Sequence, residues 1–324
     1  MGEFDLIARY FRRPARRAAL GAGDDCALLA LAPGMQLAVS SDMLVEGRHF
    51  FADAYPAHLG HKALAVNLSD LAACGARPLA FTLALALPQV DEVWLESFAR
   101  GLLALADEHD CELIGGDTTQ GPLNLCITIF GEVPAGGALL RSGARAGNDL
   151  WVSGTPGLAR LALDALRGQL ALPGELLAAW RVHLEQPTAR VALGQRLRGL
   201  ATSAIDVSDG LLGDLSHVLT ASGVGALVEA DVLTDLIAAH PDVATAEATF
   251  DRNLLRRCAL AGGDDYELLF TAPAAQRAAV QEAAQASNTP VTRIGRIEAG
   301  RGLRLVDAQG QALQGQFPSF DHFA

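Results

Sequence analysis

Aspartates are the residues of this sequence whose placement could do chemistry. Six times along the chain, one or two aspartates stand where an apolar segment meets a turn that carries glycine or serine. These places hold Asp24 with Asp25, Asp42, Asp70, Asp117, Asp206 with Asp209, and Asp264 with Asp265. Magnesium takes a few carboxylates together with phosphate oxygens, and glycine lets backbone N–H groups approach a phosphate closely. The pattern favours a site for a polyphosphate and several divalent ions.

A purely structural explanation competes with the metal site. Aspartate beside glycine is common in turns and at helix N-caps. Against this, two of the six places carry doubled aspartates, and two carry a serine that offers a second oxygen ligand. We favour the metal interpretation for the set, and the capping interpretation stays open for each member.

Other catalytic motifs are missing from the sequence. It contains no Gly-x-x-x-x-Gly-Lys-[Ser/Thr] loop, no His-Glu-x-x-His and no Gly-x-Ser-x-Gly, so neither a P-loop enzyme nor a serine hydrolase is indicated. Lys62 is the only lysine. Positive charge for phosphate chemistry must therefore come from metal ions and from arginines.

The elements that would position these aspartates alternate irregularly. Strand patterns cover residues 36–41, 79–87, 125–133, 150–153, 267–272 and 292–297, and helical patterns cover residues 4–11, 57–74, 92–109, 158–167, 189–199, 211–221 and 274–286. They predict an α/β (α+β) layered architecture. The glycine-rich stretch 132–149 indicates a linker, so we predict domains 1–140 and 141–324.

Composition narrows the partners and the compartment. The 324 residues carry a net charge of −12, which argues against nucleic acid as a partner. Five scattered cysteines without a Cys-x-x-Cys pair fit a reducing cytoplasm. No apolar run approaches the roughly 18 residues of a membrane span, and the amino terminus does not read as a secretory signal. We expect a cytoplasmic protein that does not bind membranes.

Several motifs occur together in an order that is known from one enzyme family. They are Gly23-Asp24-Asp25-Cys26-Ala27, Ser41-Asp42-Met43-Leu44-Val45-Glu46-Gly47-Arg48-His49-Phe50, Asn67-Leu68-Ser69-Asp70, Gly115-Gly116-Asp117, Asp206-Val207-Ser208-Asp209-Gly210, Gly263-Asp264-Asp265-Tyr266-Glu267-Leu268 and the tail Phe320-Asp321-His322-Phe323. Over essentially its whole length the chain resembles the thiamine-monophosphate kinases. This family lies within the superfamily of aminoimidazole ribonucleotide synthetase and selenophosphate synthetase.

The resemblance implies a fold and an activity. The amino-terminal domain would bind metal and ATP and would pair its sheet with that of a second copy in a homodimer; the carboxyl-terminal α+β domain would complete the nucleotide and substrate site. The reaction would transfer the γ-phosphoryl group of ATP to thiamine monophosphate, giving thiamine diphosphate, with several Mg²⁺ ions. The apolar run 79–87 also predicts an interface, because it is too uniform for a sheet with one wet face.

Residue roles follow from the resemblance by position. The magnesium ligands would be Asp25, Ser40, Ser41, Asp42, Asp70, Asp117, Asp206 and Asp209. The nucleotide contacts would be Gly116, Asp117, Arg141 and Ser208, and thiamine monophosphate would be held by His49, Asp264 and Phe320.

Two positions depart from the family pattern, and two other functions compete. Asp264 stands where the family often has glutamate, and Ala99 stands near a position that is often aromatic, so no residue is assigned to adenine. One competing function is an ATP-dependent synthetase of the same superfamily. The other is an acidic module that binds ions or nucleotide without catalysis. A half-buried turn histidine, a solvated arginine and a docking tail are the structural alternatives for His49, Arg141 and Phe320.

Overall fold

The protein consists of two compact units, each with its own sheet. The computed structural model describes residues 2–22, 24–172, 174–246, 250–313, 315, 317, 318 and 320. The first unit comprises Met1–Leu71 and Ala76–Gly136, and the second comprises Ala72–Gly75 and Gly137–Ala324. Helices accompany a mixed sheet in both units, which confirms the predicted α/β (α+β) class. Among the described residues, no helix is long and apolar enough to cross a membrane.

The first unit contains a four-stranded sheet in the order β1-β4-β2-β3. Its elements are α1 (Glu3–Leu6), a π-helical turn (Ile7–Phe11), β1 (Met35–Val45), α2 (Pro56–Ala73), β2 (Arg77–Leu87), α3 (Glu92–Glu108), β3 (Glu112–Gln120) and β4 (Asn124–Pro134). β4 runs antiparallel to both of its neighbours, and β2 runs parallel to β3. α2 is apolar on nearly every side, with Leu64, Ala65 and Leu68 fully buried, so it is an internal helix.

β2, which contains the apolar run 79–87, is a central strand of the first sheet. Its apolar side chains are therefore no longer a reason to expect an interface with a second chain. Phe81 and Leu85 are buried within the chain itself. The uniform apolar run therefore does not require a partner. Exposed apolar side chains lie instead on the edge strand β1, where Val39 is 55% and Met43 56% exposed.

The second unit contains a six-stranded sheet in the order β10-β7-β9-β5-β8-β6. Its elements are β5 (Asn148–Ser153), α4 (Leu158–Leu166), α5 (Gly174–Glu185), α6 (Val191–Leu197), β6 (Ser203–Asp206), α7 (Leu211–Ser222), β7 (Gly225–Glu229), α8 (Ala230–Ala238), α9 (Pro241–Ala244), α10 (Arg252–Ala261), β8 (Leu268–Pro273), a 3-10 turn (Ala274–Gln276), α11 (Arg277–Ala286), β9 (Val291–Glu298) and β10 (Gly302–Val306). β10 pairs parallel with β7, and the other four pairings are antiparallel.

The ends of two strands differ from the sequence prediction. Asp42 was expected to end its strand, but β1 continues through it to Val45. Asp117 was expected to follow an apolar segment as part of a turn, but it lies inside β3. β3 went unpredicted because its glycines, aspartate and threonines resemble a turn more than a strand. Its pairing with the buried strand β2 overrides that local preference.

Candidate active site

Two carboxylates meet where β1 passes over α2. Asp42 lies on β1, and Asp70 lies in the last part of α2. Ser40, two residues before Asp42 and so on the same side of the strand, donates its hydroxyl hydrogen bond to Asp70 Oδ2. The backbone N–H of Asp42 donates to Oδ1 of Asn67, 3.2 Å away. Asn67 is itself fully buried and donates to the carbonyl of Ala63 at 3.0 Å. The pair is therefore held by fixed neighbours on both elements.

The two acids strongly perturb each other. Burial, the charge of Asp70 and the hydrogen bond that protonated Asp42 makes with the carboxyl of Asp70 raise the pKa of Asp42 to about 7. Two carboxylates at one site cannot both ionise without a compensating positive charge. The arrangement of Ser40, Asp42 and Asp70 thus offers three oxygen ligands and a deficit of positive charge, which suits a hard divalent cation.

Ser41 does not share this site through its side chain. Adjacent residues of a strand point to opposite faces, so Ser41 faces away from Ser40 and Asp42. Its hydroxyl lies 3.0 Å from Oγ1 of Thr128 and donates to the carbonyl of Ile127 at 3.1 Å. Any contact of Ser41 with an ion beside Asp42 is limited to its backbone carbonyl.

A second group of predicted residues lines a cavity of about 660 Å³. Asp25, Gly116 and Asp117 contribute to its wall, together with Thr82 of β2 and Arg12 from the end of the π-helical turn. Gly116 has φ 147°, and a Cβ there would collide with the carbonyl of Leu83. Only glycine fits at this point, and its backbone can approach a ligand closely.

The two groups lie on opposite edges of the first sheet. Asp42 is on edge strand β1 and pairs with Ile127, which pairs with the buried Leu83. Asp117 lies on the other edge strand, β3, and pairs with Ala84 of β2. Because Ala84 directly follows Leu83, Asp117 is on the opposite face of the sheet from Asp42. Three strand spacings separate the edges by about 14 Å, whereas two ligand atoms of one Mg²⁺ lie at most about 4 Å apart. Within one chain, Asp42 and Asp117 are therefore too far apart to hold the same ion.

His49 is fixed in a tight turn after β1. Its Nδ1 accepts the backbone N–H of Val45 at 3.0 Å, so the neutral ring carries its proton on Nε2. Gly47 adopts φ 76° in this turn, and its N–H donates to the carbonyl of Phe50 at 2.9 Å. The only lysine, Lys62, is buried and donates to the carbonyl of His49 at 3.3 Å. The ring is thus held as a hydrogen-bond donor.

In the second unit, the predicted Ser208 and Asp209 occupy a loop that is held by Asp214, an acid that is not among the predicted site residues. Oδ2 of Asp214, in the first turn of α7, accepts the backbone N–H groups of Ser208 at 3.0 Å and Asp209 at 3.1 Å. Burial raises the pKa of Asp214 to about 6. An acid in the first turn after Ser-Asp-Gly is the signal that could have revealed it.

Arg141 and Asp206 lie near the same loop. The guanidinium of Arg141 acts on Asp214, where its charge favours the ionised carboxylate. The backbone of Leu140 accepts the N–H of Ala204 at 2.9 Å, which fixes this segment beside β6. Asp206 is the buried last residue of β6.

Asp264 and Phe320 are pinned to the Ser208–Asp209 loop by backbone hydrogen bonds. The N–H of Asp264 donates to the carbonyl of Ser208 at 2.8 Å, and the N–H of Phe320 donates to that of Asp209 at 3.0 Å. Phe320 is 45% exposed. Both Asp264 and Tyr266 have positive φ, at 65° and 52°, a conformation that costs energy for residues with a side chain. The structure therefore brings Ser208, Asp209, Asp264 and Phe320 together.

Two buried acids hold that strained loop in place. Asp265 accepts the backbone N–H of Gly157 at 2.8 Å, and burial raises the pKa of Asp265 well above its ordinary value. Glu267 is bonded bidentately by Arg190, at 2.7 and 2.5 Å, and by the hydroxyl of Ser153. Neither acid is among the ligands and contacts that the family resemblance implies, although the doubled aspartate Asp264-Asp265 is visible in the sequence.

The comparisons with known proteins cover both units. A family model described as AIR synthase related protein, N-terminal domain, matches residues 23–133, and the corresponding C-terminal domain matches residues 145–308. A thiamine-monophosphate kinase of Salmonella typhimurium is 47% identical over 332 residues, covering 100% of this chain and 98% of that protein. One from Haemophilus influenzae is 40% identical over 334 residues, with the same two shares.

Solved structures agree with this assignment. The crystal structure of thiamine-monophosphate kinase from Stenotrophomonas maltophilia K279a has a TM-score of 0.83 and 46% identity, covering 96% of each chain. The two sequence relatives and this structure match nearly the full length, and the two family models match both units in order. The chain belongs to the AIR synthase related family and, within it, to the thiamine-monophosphate kinases.

Proposed function

We propose that this chain is an ATP- and Mg²⁺-dependent kinase that transfers the γ-phosphoryl group of ATP to thiamine monophosphate, giving thiamine diphosphate. The arrangement that carries the proposal is the pair Asp42 and Asp70 with the hydroxyl of Ser40. Its relatives of 40–47% identity are thiamine-monophosphate kinases. A further structure, AaThiL complexed with AMPPCP and TMP, is 27% identical with a TM-score of 0.73, covering 91% of this chain and 89% of that one; there the family fold holds both kinds of ligand.

The residues fit magnesium, which this enzyme needs for charge. We propose Asp25, Ser40, Asp42, Asp70, Asp117, Asp206 and Asp209 as ligands, with Ser41 contributing through its backbone. When bound, Mg²⁺ neutralises phosphate oxygens in the transition state of phosphoryl transfer. Asp42, Asp70, Asp117 and Asp206 lie on strands and on a helix, which hold their carboxylates in a fixed geometry, whereas Asp25 and Asp209 lie in loops.

The phosphoryl acceptor, thiamine monophosphate, needs to be aligned with ATP but does not need to be deprotonated. Thiamine monophosphate presents an anionic phosphate oxygen, so no general base is required. His49 can donate from Nε2 to that phosphate, since its Nδ1 is engaged by Val45. Asp264 supplies a negative charge for the cationic thiazolium ring, and the exposed ring of Phe320 supplies an aromatic face.

Backbone groups and an arginine are the proposed contacts of the nucleotide. Gly116 lets the chain approach a phosphate closely, and its neighbour Asp117 can hold the accompanying ion. Arg141 offers a planar donor fork for phosphate oxygens, and Ser208 offers a hydroxyl on a loop that Asp214 fixes.

We also propose a homodimer that forms through β1. Leu37, Val39, Met43 and Val45 alternate along the edge strand and expose one apolar row. An exposed edge strand with an apolar row is a surface for pairing with another chain, and a second copy of this chain is the partner that the family resemblance implies. We place the enzyme in the cytoplasm, in keeping with its five free cysteines.

Turnover of ATP with thiamine monophosphate, with the product identified by mass, tests the function. Thiamine diphosphate should form with Mg²⁺ or Mn²⁺ and should not form in excess EDTA. ADP released without thiamine diphosphate would indicate a synthetase of another substrate. Nucleotide binding without turnover would indicate a non-catalytic module, and full turnover in EDTA would refute the metal-centred mechanism.

A further inference from the structure

Two histidines and an aspartate converge in the second unit, and none of them is among the residues assigned above. His183 lies in the last turn of α5, His240 caps α9, and Asp242 lies in the first turn of α9. Within the part of the chain that the structure describes, this is the one group of three such side chains whose ligand atoms all lie within 4.8 Å of one another. We propose that His183, His240 and Asp242 form a binding site for a late first-row divalent cation such as Zn²⁺.

The distances are close to those of a coordination site. His183 Nε2 lies 2.7 Å from Asp242 Oδ2, and His240 Nδ1 lies 3.8 Å from the same oxygen. Around a tetrahedral Zn²⁺ with bonds of about 2.0–2.1 Å, neighbouring ligand atoms lie about 3.3 Å apart. Both distances reach that value through small rotations of the side chains. The two imidazole rings meet edge to face, 84° apart, with centroids separated by 5.4 Å.

The nitrogen of His240 that faces Asp242 carries a lone pair. Nδ1 accepts the backbone N–H of Asp242 at 3.4 Å, and a nitrogen that accepts a hydrogen bond is unprotonated. A hydrogen bond of this length is weak, so a metal can replace it at little cost. On the other side, a metal would take the place of the proton that His183 shares with Asp242.

Neighbouring contacts order the backbone and the packing on each side of the site. Trp180, one turn before His183, is buried and stacks on Phe250 with ring centroids 5.5 Å apart. The N–H groups of Val243 and Ala244 donate to the carbonyl of His240 at 2.9 and 2.8 Å. Such preorganisation lowers the cost of gathering the ligands.

The donor set selects the metal. Imidazole nitrogens suit zinc, copper, nickel and cobalt, whereas magnesium prefers oxygen ligands. Two histidines and one carboxylate leave at least one coordination position for water. The site would therefore fill independently of the magnesium ions of the kinase and would join α5 to α9.

Calorimetric titration with Zn²⁺ tests the site in the full-length protein, with millimolar Mg²⁺ present to occupy the oxygen ligands. We expect one site per chain, and each of His183→Ala, His240→Ala and Asp242→Asn should weaken it at least about tenfold, because even indirect metal partners contribute that much. The matched control is His217→Ala, which removes an exposed histidine of α7 in the same unit.

A second measurement separates binding from folding. Zn²⁺ should raise the melting temperature of the parent and of His217→Ala but not that of His183→Ala, and circular dichroism should show all variants folded. Equal Zn²⁺ affinity in the parent and the three ligand variants would overturn the proposal. So would the absence of a saturable site in the parent, which would leave only an ion pair between His183 and Asp242.

Discussion

Replacing Asp42 with asparagine should stabilise the metal-free protein above neutral pH while removing most of the kinase activity. Both effects have the same cause. Asp42 faces Asp70, and the folded state raises the pKa of Asp42 from 3.8 to about 7. Between these two values the folded protein keeps a proton that the unfolded chain has released. The free energy of unfolding therefore falls as the pH rises from about 4 to about 7.

The size of the effect follows from the pKa difference. One pKa unit corresponds to about 1.4 kcal/mol, so a rise from 3.8 to about 7 gives an upper bound of about 4 kcal/mol. Asp42 is half-buried rather than fully buried, and solvent screening reduces the expected figure to about 2 kcal/mol. Asparagine cannot ionise, so the variant should lack this loss of stability.

Denaturant unfolding in EDTA at pH 5 and pH 8 measures the first effect. The free energy of unfolding of Asp42→Asn should exceed that of the parent by about 2 kcal/mol at pH 8 and by much less at pH 5. Added Mg²⁺ should stabilise the parent but not the variant, and kcat/KM should fall at least about a hundredfold. Asp107→Asn is the control, because this exposed acid of α3 pairs with an exposed arginine, Arg13, at 2.7 Å.

Two outcomes would refute this reasoning. If the parent and Asp42→Asn lose stability equally between pH 5 and pH 8, the carboxyl pair is not the source of the pH dependence. If the variant keeps near-parental kinetics with Mg²⁺, Asp42 is a structural strand residue. Asparagine would serve in that role nearly as well, since it has almost the same shape.

Three further predictions concern other parts of the molecule. Asp214→Ala should lower the free energy of unfolding by about 1–3 kcal/mol, because two backbone N–H groups lose their acceptor. It should also raise the KM for ATP, and an unchanged KM would mean that Asp214 contributes to stability alone. Phe320→Ala should raise the KM for thiamine monophosphate about two- to thirtyfold with the KM for ATP nearly constant, whereas a tail that only docks would lower the melting temperature and leave both constants intact. Val39→Asp should shift the protein from dimer to monomer in sedimentation at micromolar concentration, and a parent that is monomeric at the same concentration would contradict the proposed β1 interface.

The sequence by itself determined the kinds of residue and the family. Clustered aspartates beside glycine and serine, with one lysine and no P-loop, indicated metal-assisted phosphate chemistry. The order of the motifs indicated the thiamine-monophosphate kinases, and the comparisons confirm that family. These inferences needed no geometry, because residue types and their order along the chain carry them.

Strand pairing decided which of these residues meet. Ser40, Ser41 and Asp42 are adjacent in sequence, yet the pleat of β1 turns only Ser40 and Asp42 toward Asp70. Asp117 resembles a turn residue locally, but pairing with a buried neighbour places it within an edge strand.

Long-range contacts decided the supports of the site. Asp265 accepts the backbone N–H of Gly157, 108 residues away, and Asp242 meets His183 across 59 residues. Local pattern specifies where a strand or helix can form, whereas register and packing depend on partners distant in sequence. For that reason only the tertiary structure could show which acids face each other and which face a backbone amide.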